Sequence, residues 1–104
     1  MSGFNKMLKQ AQKMQQELAR VQEELKTKTV EVSAGGGAVK VVATCGMRIE
    51  SIEIKPEAVD PQDIEMLQDL IISGVNQALE KAQQESEAQM AKITQGMGLP
   101  GMGF

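Results

Sequence analysis

The central stretch, residues 28–54, reads as β-structure and constrains the rest of the chain more than any other feature. It is rich in β-branched residues and is interrupted by three consecutive glycines and by a Cys-Gly pair. β-Branched side chains favour strands, and glycines between such segments favour tight turns. The stretch therefore predicts a three-stranded antiparallel meander. Its β-branched aliphatic residues are Val30, Val32, Val39, Val41, Val42, Ile49, Ile52 and Ile54.

Alternation of apolar and polar residues gives each of the first two predicted strands one apolar face. The third strand changes phase, because Ile49 has an odd number whereas Ile52 and Ile54 have even numbers. A β-bulge near Glu50 and Ser51 accounts for this change. A three-stranded sheet also has two open edges, and an open apolar edge favours pairing with another chain. We therefore expect a homodimer joined through this sheet.

Length and composition exclude most enzyme classes. The chain has 104 residues, which predicts one domain over residues 1–95, followed by a flexible Gly/Met-rich tail over residues 96–104. It contains no histidine, so the commonest general base and metal ligand is missing. We expect no enzyme activity, metal or cofactor. The single Cys45 and the lack of a membrane-length apolar run favour a cytoplasmic protein.

Residues 4–25 predict a helix with an apolar heptad stripe. The stripe consists of Phe4, Met7, Ala11, Met14, Leu18, Val21 and Leu25. Two interpretations of this stripe are about equally supported. The helix packs on another part of its own chain, or it forms an intermolecular coiled coil, for which three heptads are near the lower limit.

Positive charge is concentrated in the same helix. Residues 1–22 carry four basic side chains and one acidic side chain, whereas the remainder carries seven basic and thirteen acidic side chains. A helical wheel places the four basic side chains away from the apolar stripe, and we call this set the basic ridge: Lys6, Lys9, Lys13 and Arg20. Such a ridge is either a solvated face or a binding surface for a polyanion.

The second half of the chain predicts a long helix. Residues 60–63 combine a capping aspartate, a proline at the first helical position and an acidic first turn. A wide apolar face follows, and Gly74 within it indicates close approach of another backbone. Beyond Ala82 the apolar stripe thins, so we expect a solvated extension outside the core. The glycine run at 35–37 leads into a strand and lacks a Gly-Lys-Ser/Thr sequence, which favours a hairpin turn over a phosphate loop.

The predicted fold is α+β: an N-terminal helix, a three-stranded antiparallel sheet and a long C-terminal helix. This order, together with four sequence segments and the Gly/Met-rich tail, resembles the YbaB/EbfC family of nucleoid-associated proteins. The segments are KQAQKM at residues 9–14, GGGAVKV at 35–41, IEIKPE at 52–57, and EMLQDLI at 65–71 followed by NQA at 76–78.

The resemblance implies a non-catalytic homodimer in the bacterial nucleoid or in plastids. Its helices would project as the arms of a tweezer and bind double-stranded DNA. The basic ridge is the natural place for DNA contacts on this sequence, namely Lys6, Lys9, Lys13 and Arg20. Such contacts would go mainly to phosphates with little sequence specificity. The alternative is a dimeric coiled-coil adaptor that binds another protein through its heptad stripe or Met-rich tail.

Overall fold

The computed structural model describes residues 2–96 and confirms the predicted α-β-β-β-α order. The tail predicted over residues 96–104 lies outside the described residues, apart from Gly96, which ends the last helix. Neither helix within residues 2–96 has an apolar stretch long enough to cross a membrane. The elements are α1 (Ser2–Leu25), β1 (Thr29–Ala34), β2 (Val39–Thr44), β3 (Arg48–Ile54), a short 3-10 helix (Pro56–Ala58) and α2 (Ile64–Gly96).

The three strands form one antiparallel sheet in the order β1-β2-β3. The predicted bulge is confirmed. Val42 pairs with Ser51 whereas the next residue, Ala43, pairs with Ile49, so Glu50 is the extra residue in β3. Because a bulge resets the alternation by one position, Ile49 and Ile52 lie on the same face of the sheet. The phase change in the sequence is therefore the local signature of this irregularity.

The two hairpin turns use glycine for different reasons. Between β1 and β2, Gly35, Gly36 and Gly37 have φ angles of 63°, 66° and 95°, a region that residues with a Cβ rarely occupy. Between β2 and β3 the left-handed residue is Met47, with a φ of 66°. Gly46 is favoured at this turn because the backbone of Lys26 lies close to it: a Cβ at position 46 would be 3.3 Å from the Cα of Lys26.

Helix α2 lies across β1 and β2 through a seam of small residues. Gly74, Ala78 and Ala82 follow one another at intervals of four and are all buried. Opposite them, Val39 and Val41 have no exposed surface. A Cβ placed on Gly74 would lie 2.9 Å from Cγ2 of Val41, so the helix approaches the sheet as closely as glycine allows. The sheet therefore lies close to Gly74, but the nearest atoms belong to side chains and not to the backbone predicted from the sequence.

Strand β3 remains largely uncovered by α2, and each of its seven residues is exposed. Ile49, Ile52 and Ile54 pair with Ala43, Val41 and Val39, so their side chains point to the core face. They are nevertheless 37–39% exposed. The core face of the sheet thus extends beyond the helix as an apolar strip, which we call the β3 strip: Ile49, Ile52 and Ile54.

Helix α1 packs against the second half of α2. Its last apolar residues, Val21 and Leu25, are buried in the same core cluster as Ala82. Met90 and Ile93 of α2 also pack against this cluster. The extension of α2 beyond Ala82 is therefore helical, as predicted, but the expectation that it lies outside the core is wrong. A thin apolar stripe is sufficient to pack this part of α2, because the buried end of α1 contributes the apolar side chains that face it.

The start of α2 also differs from the expectation. Asp60 accepts a hydrogen bond from the backbone N of Gln62 at 2.9 Å and so stabilises a turn before the helix. Asp63 is the capping residue, and its Oδ1 accepts from the backbone N of Met66 at 3.1 Å. The assignment of Asp60 as the cap and of the following proline as the first helical residue is wrong. Two Asx motifs follow one another, and the sequence pattern did not separate them.

Two side-chain contacts fasten α2 to the first strand and to the loop before it. Lys28 Nζ lies 2.6 Å from Glu85 Oε1. Lys81 Nζ donates to the backbone oxygen of Glu31 at 3.0 Å. The pKa of Glu85 is lowered, first by the hydrogen bond from Lys28 and then by that from Gln89. These contacts connect the middle of α2 with β1 and with the residue that precedes it.

The close seam predicts that Gly74→Ala destabilises the fold although alanine is the better helix former. The added methyl group would meet a branched core side chain, and such overpacking costs about 1–3 kcal/mol, against a helix-propensity gain of about 1 kcal/mol. We expect a net loss of about 1 kcal/mol in the free energy of unfolding, measured by urea titration. Gly3→Ala is the control, because nothing lies within 4 Å of its Cβ position. Equal stability of the two variants would contradict the close packing of Gly74 on Val41.

The Lys28–Glu85 contact predicts a pH-dependent contribution to stability. A carboxyl pKa that is lower in the folded than in the unfolded state stabilises the fold above the unfolded pKa. This contribution is lost as the pH falls through the folded pKa. Glu85→Gln should therefore lower the Tm at pH 7, and its difference from wild type should shrink as the pH falls through the lowered pKa of Glu85. Glu80→Gln is the control on the same helix, because Glu80 forms no ion pair within residues 2–96.

Candidate nucleic-acid interface

Helix α1 and the second half of α2 together form an antiparallel pair, which we call the arm. A groove of about 400 Å³ lies between the two helices and shows which of their segments are adjacent. It is lined by Lys13, Glu17 and Arg20 of α1 and by Gln89 and Lys92 of α2. Residues 26–28 connect the end of α1 to β1, so this end of the arm lies beside the sheet. We call residues 17–28 with 82–87 the proximal arm, and residues 2–16 with 88–96 the distal arm.

The proximal arm is electrically compensated. Arg20 contacts Glu17 and Glu24, each at 2.7 Å, through two nitrogens of its guanidinium group. Lys26 contacts Glu23 at 3.0 Å. The mutual effects are consistent, because the pKa of Glu17 is lowered chiefly by its hydrogen bond from Arg20, and the pKa of Arg20 is raised chiefly by the same bond. Positive charge in this half of the arm is already matched by carboxylates.

The distal arm has the opposite character. It contains no aspartate or glutamate, and its four basic residues are Lys6, Lys9, Lys13 and Lys92. All four are exposed. Within residues 2–96 none of them forms an ion pair, whereas several lysines elsewhere do. The distal arm is therefore an uncompensated cationic surface on an otherwise acidic chain.

The structure divides the predicted basic ridge into two parts. Lys6, Lys9 and Lys13 lie in the distal arm without a paired carboxylate, while Arg20 lies in the proximal arm between two of them. The helical wheel placed these residues on one exposed side, and all four are exposed. It did not show that Glu17 and Glu24 reach Arg20 from the neighbouring helical positions. The spacings of three and four residues between Arg20 and these glutamates were the sequence signal that could have predicted the ion pairs.

Lys92 is a basic residue that the sequence reasoning missed. It belongs to α2, nearly eighty positions after Lys13 in the sequence, and the two side chains line one groove. No acidic residue stands three or four positions from Lys92 on its helix. That absence was a usable signal, but the helix pairing was needed to show that Lys92 joins the charges of α1.

Exposed apolar residues accompany the cations of α1. Phe4 and Met7 are 67% and 68% exposed, and Leu8 is also exposed. Toward the end of the same heptad stripe, Val21 and Leu25 are buried. The second half of the stripe packs on α2 of the same chain, which confirms the first interpretation for that segment. The first half is uncovered by the described residues, and the coiled-coil interpretation stays a prediction.

The sheet offers no comparable cationic surface. On its outer face Lys40 lies 3.2 Å from Glu31 and 3.1 Å from Glu53, so its charge is matched twice. The pKa of Lys40 is raised, first by its hydrogen bond with Glu53 and then by that with Glu31. Cys45 is buried, and burial raises the pKa of its thiol, which disfavours a reactive thiolate. The distal arm therefore remains the strongest candidate for binding a polyanion.

Comparison with known proteins supports this interpretation. A sequence model of the YbaB/EbfC DNA-binding family matches residues 1–97. A nucleoid-associated protein of Acetivibrio thermocellus is 62% identical over 101 residues, covering 96% of this chain and 89% of the relative. A nucleoid-associated protein of Ruminiclostridium cellulolyticum is 57% identical over 101 residues, covering 96% and 88%.

The fold also has a counterpart among solved structures. The crystal structure of an uncharacterized protein from Helicobacter pylori matches with a TM-score of 0.62 and 19% sequence identity, covering 75% of this chain and 90% of that one. At this identity the match shows a shared fold alone. The family model and the two sequence relatives go further, and they show that the chain belongs to the YbaB/EbfC DNA-binding family, which is non-enzymatic.

Proposed function

We propose that this protein binds double-stranded DNA as a homodimer, mainly through phosphate contacts and with little sequence specificity. In this way it contributes to nucleoid organisation and gene expression in the bacterial cytoplasm. The family match and the names of the bacterial relatives support the nucleoid as its location. The observation that carries the proposal is the uncompensated positive charge of the distal arm on a chain of net charge −3.

The spacing of the lysines on α1 favours a polyanionic ligand. Lys6 and Lys9 are three residues apart, and Lys9 and Lys13 are four apart, so neighbouring ammonium groups repel one another along the helix. Such repulsion costs helix stability, and phosphates lying between the ammonium groups would relieve it. A purely solubilising face would mix both signs, as the proximal arm does with Arg20 and its two glutamates.

DNA affinity would come chiefly from release of counterions. Each phosphate neutralised by a basic side chain releases condensed cations from the duplex, and the affinity then falls steeply with salt. Two copies of Lys6, Lys9 and Lys13 in a dimer supply six such contacts. We assign a smaller share to Arg20, because a phosphate would have to compete with two carboxylates for its guanidinium group. Phosphate contacts position the duplex and carry no base sequence information.

The homodimer is supported by the β3 strip and by the edge on which it lies. β3 is an end strand of the sheet, so its outer backbone groups have no strand partner within residues 2–96. Three exposed isoleucines on one face of an edge strand favour association with another chain. A second copy of this chain offers an identical edge and strip, and a two-fold interface is self-complementary by construction. Burial of the strip would complete the core that α2 leaves partly open.

Replacing the three lysines of α1 tests the DNA interface. The variant Lys6→Gln/Lys9→Gln/Lys13→Gln should bind a labelled duplex of about 30 base pairs more than about a hundredfold more weakly at 0.1 M salt. Its slope of log affinity against log salt should fall by about five, from about 0.9 per lost contact and six contacts in a dimer. Fluorescence anisotropy across a salt series measures both quantities.

The matched control removes the same charge from the other end of the molecule. In Lys26→Gln/Lys55→Gln/Lys81→Gln the three lysines lie near the sheet, and two of them are already engaged by Glu23 or by the backbone oxygen of Glu31. We expect this variant to retain most of the affinity and the salt slope. Equal losses in the two variants would mean that overall charge, and not the distal arm, determines binding.

A lysine in the β3 strip tests the homodimer. Ile52→Lys should convert a dimer into a monomer in sedimentation equilibrium, because a charged side chain on an edge strand prevents pairing between chains. Ile72→Lys is the control, since Ile72 is 58% exposed and lies two positions from the sheet-facing Leu70 and Gly74 of α2. A dimer that survives Ile52→Lys but dissociates in Ile72→Lys would move the interface to α2.

Protein binding by the first half of α1 is the second candidate function. The exposure of Phe4, Met7 and Leu8 favours it, because these residues form an apolar patch at the free end of the arm. The salt series separates the two functions. Wild-type protein that fails to bind the duplex even at low salt would exclude the DNA-binding proposal and leave the apolar patch as the functional surface.

A further inference from the structure

We infer that Lys92 is a phosphate-binding residue, and that the groove between Lys13 and Lys92 receives a backbone phosphate of the bound duplex. This inference rests on the proposed function and deepens it, because it names a contact residue on α2, whereas the residues of the basic ridge all lie on α1. The arm would then contact DNA with both of its helices. A dimer would present eight uncompensated cations, four from each distal arm.

The geometry of the groove carries the inference. Its walls bring three cations together from two helices: Lys13, Arg20 and Lys92. Val21 and Ile93 line it as well, so its apolar part is continuous with the packing between the helices. Lys13 and Lys92 line the groove from different helices, and both residues are exposed. An anion at the mouth of the groove would therefore be approached by an ammonium group from each helix.

The one carboxylate in the groove is already engaged. Glu17 Oε2 lies 2.7 Å from Arg20, and Lys13 further lowers the pKa of Glu17. Since the positive charge of Arg20 lies next to this carboxylate, Glu17 opposes an incoming phosphate less than an isolated carboxylate would. The local balance around Lys13 and Lys92 thus remains positive. The remaining polar residue of the groove, Gln89, donates to Glu85 at 2.9 Å, away from the distal end.

Lys92 differs from the other lysines of α2 and the adjoining loop. Lys81 donates to the backbone of β1, and Lys28 is held by Glu85. Lys92 has no acidic residue at positions three or four away, and within residues 2–96 it forms no ion pair. After Lys28 and Gln89, Lys92 also lowers the pKa of Glu85 slightly, but Glu85 is already engaged by those two residues. The charge of Lys92 is therefore available at the same end of the arm as the lysines of α1.

The test compares Lys92→Gln with Lys81→Gln in the full-length chain. Each variant loses one charge from the same helix, so overall charge is matched. The salt slope of duplex binding should fall by about 1.8 in Lys92→Gln, from about 0.9 for one lost contact in each protomer. It should stay at the wild-type value in Lys81→Gln. Lys92→Arg should restore the wild-type slope, because it restores the charge at the same place.

Circular dichroism and sedimentation of each variant show whether the fold and the dimer persist, so that a lost contact is distinguished from an unfolded arm. A folded Lys92→Gln variant with the wild-type salt slope would overturn the inference. If the substitutions of Lys6, Lys9 and Lys13 still lowered the slope, the proposed function would stand with contacts on α1 alone. Wild-type protein without duplex affinity would instead refute the proposed function itself.

Discussion

The close contact between α2 and the sheet is the constraint on which the other features depend. Gly74, Ala78 and Ala82 have little or no side chain, so the helix backbone lies almost directly on Val39 and Val41. With only two phenylalanines and neither tryptophan nor tyrosine, the chain has few large side chains with which to fill a wider gap. Close approach is therefore how this small chain attains a dry core.

Two consequences follow from this contact. A helix is about 10 Å wide, and neighbouring strands are about 4.8 Å apart, so one closely packed helix covers about two strands. β3 is the strand left over, and its three isoleucines remain exposed on the core face. The second consequence concerns length. α2 has 33 residues, or about 50 Å, which is far more than a six-residue strand can cover. Its second half must leave the sheet and find α1 as a partner.

The charge distribution fits this division into a sheet end and an arm. Ion pairs lie in the proximal arm and at the sheet, as at Lys28 with Glu85 and at Lys40 with its two glutamates. The distal arm contains no aspartate or glutamate, and its lysines form no ion pair within residues 2–96. In the proposed function, the sheet end joins the two protomers and the arm ends meet the duplex. Structural and binding roles are thus assigned to opposite ends of one elongated unit.

The sequence by itself determined the features that arise from local periodicity. Alternation identified the strands, the phase change between Ile49 and Ile52 located the bulge, and the heptad stripe identified α1. Local pattern also located Lys6, Lys9 and Lys13, because charge and helical position are properties of neighbouring residues. It misplaced the cap of α2, since Asp60 and Asp63 have equivalent local signals and only hydrogen bonds distinguish them.

Tertiary structure alone decided the features that depend on how distant segments meet. It brought Lys92 to the same groove as Lys13 and left the β3 strip uncovered by α2. These outcomes follow from side-chain reach and from the relative placement of helices and strands far apart in the chain. The order of residues in the sequence shows the periodicity of each helix or strand. The distance between two such elements depends on how their side chains pack together.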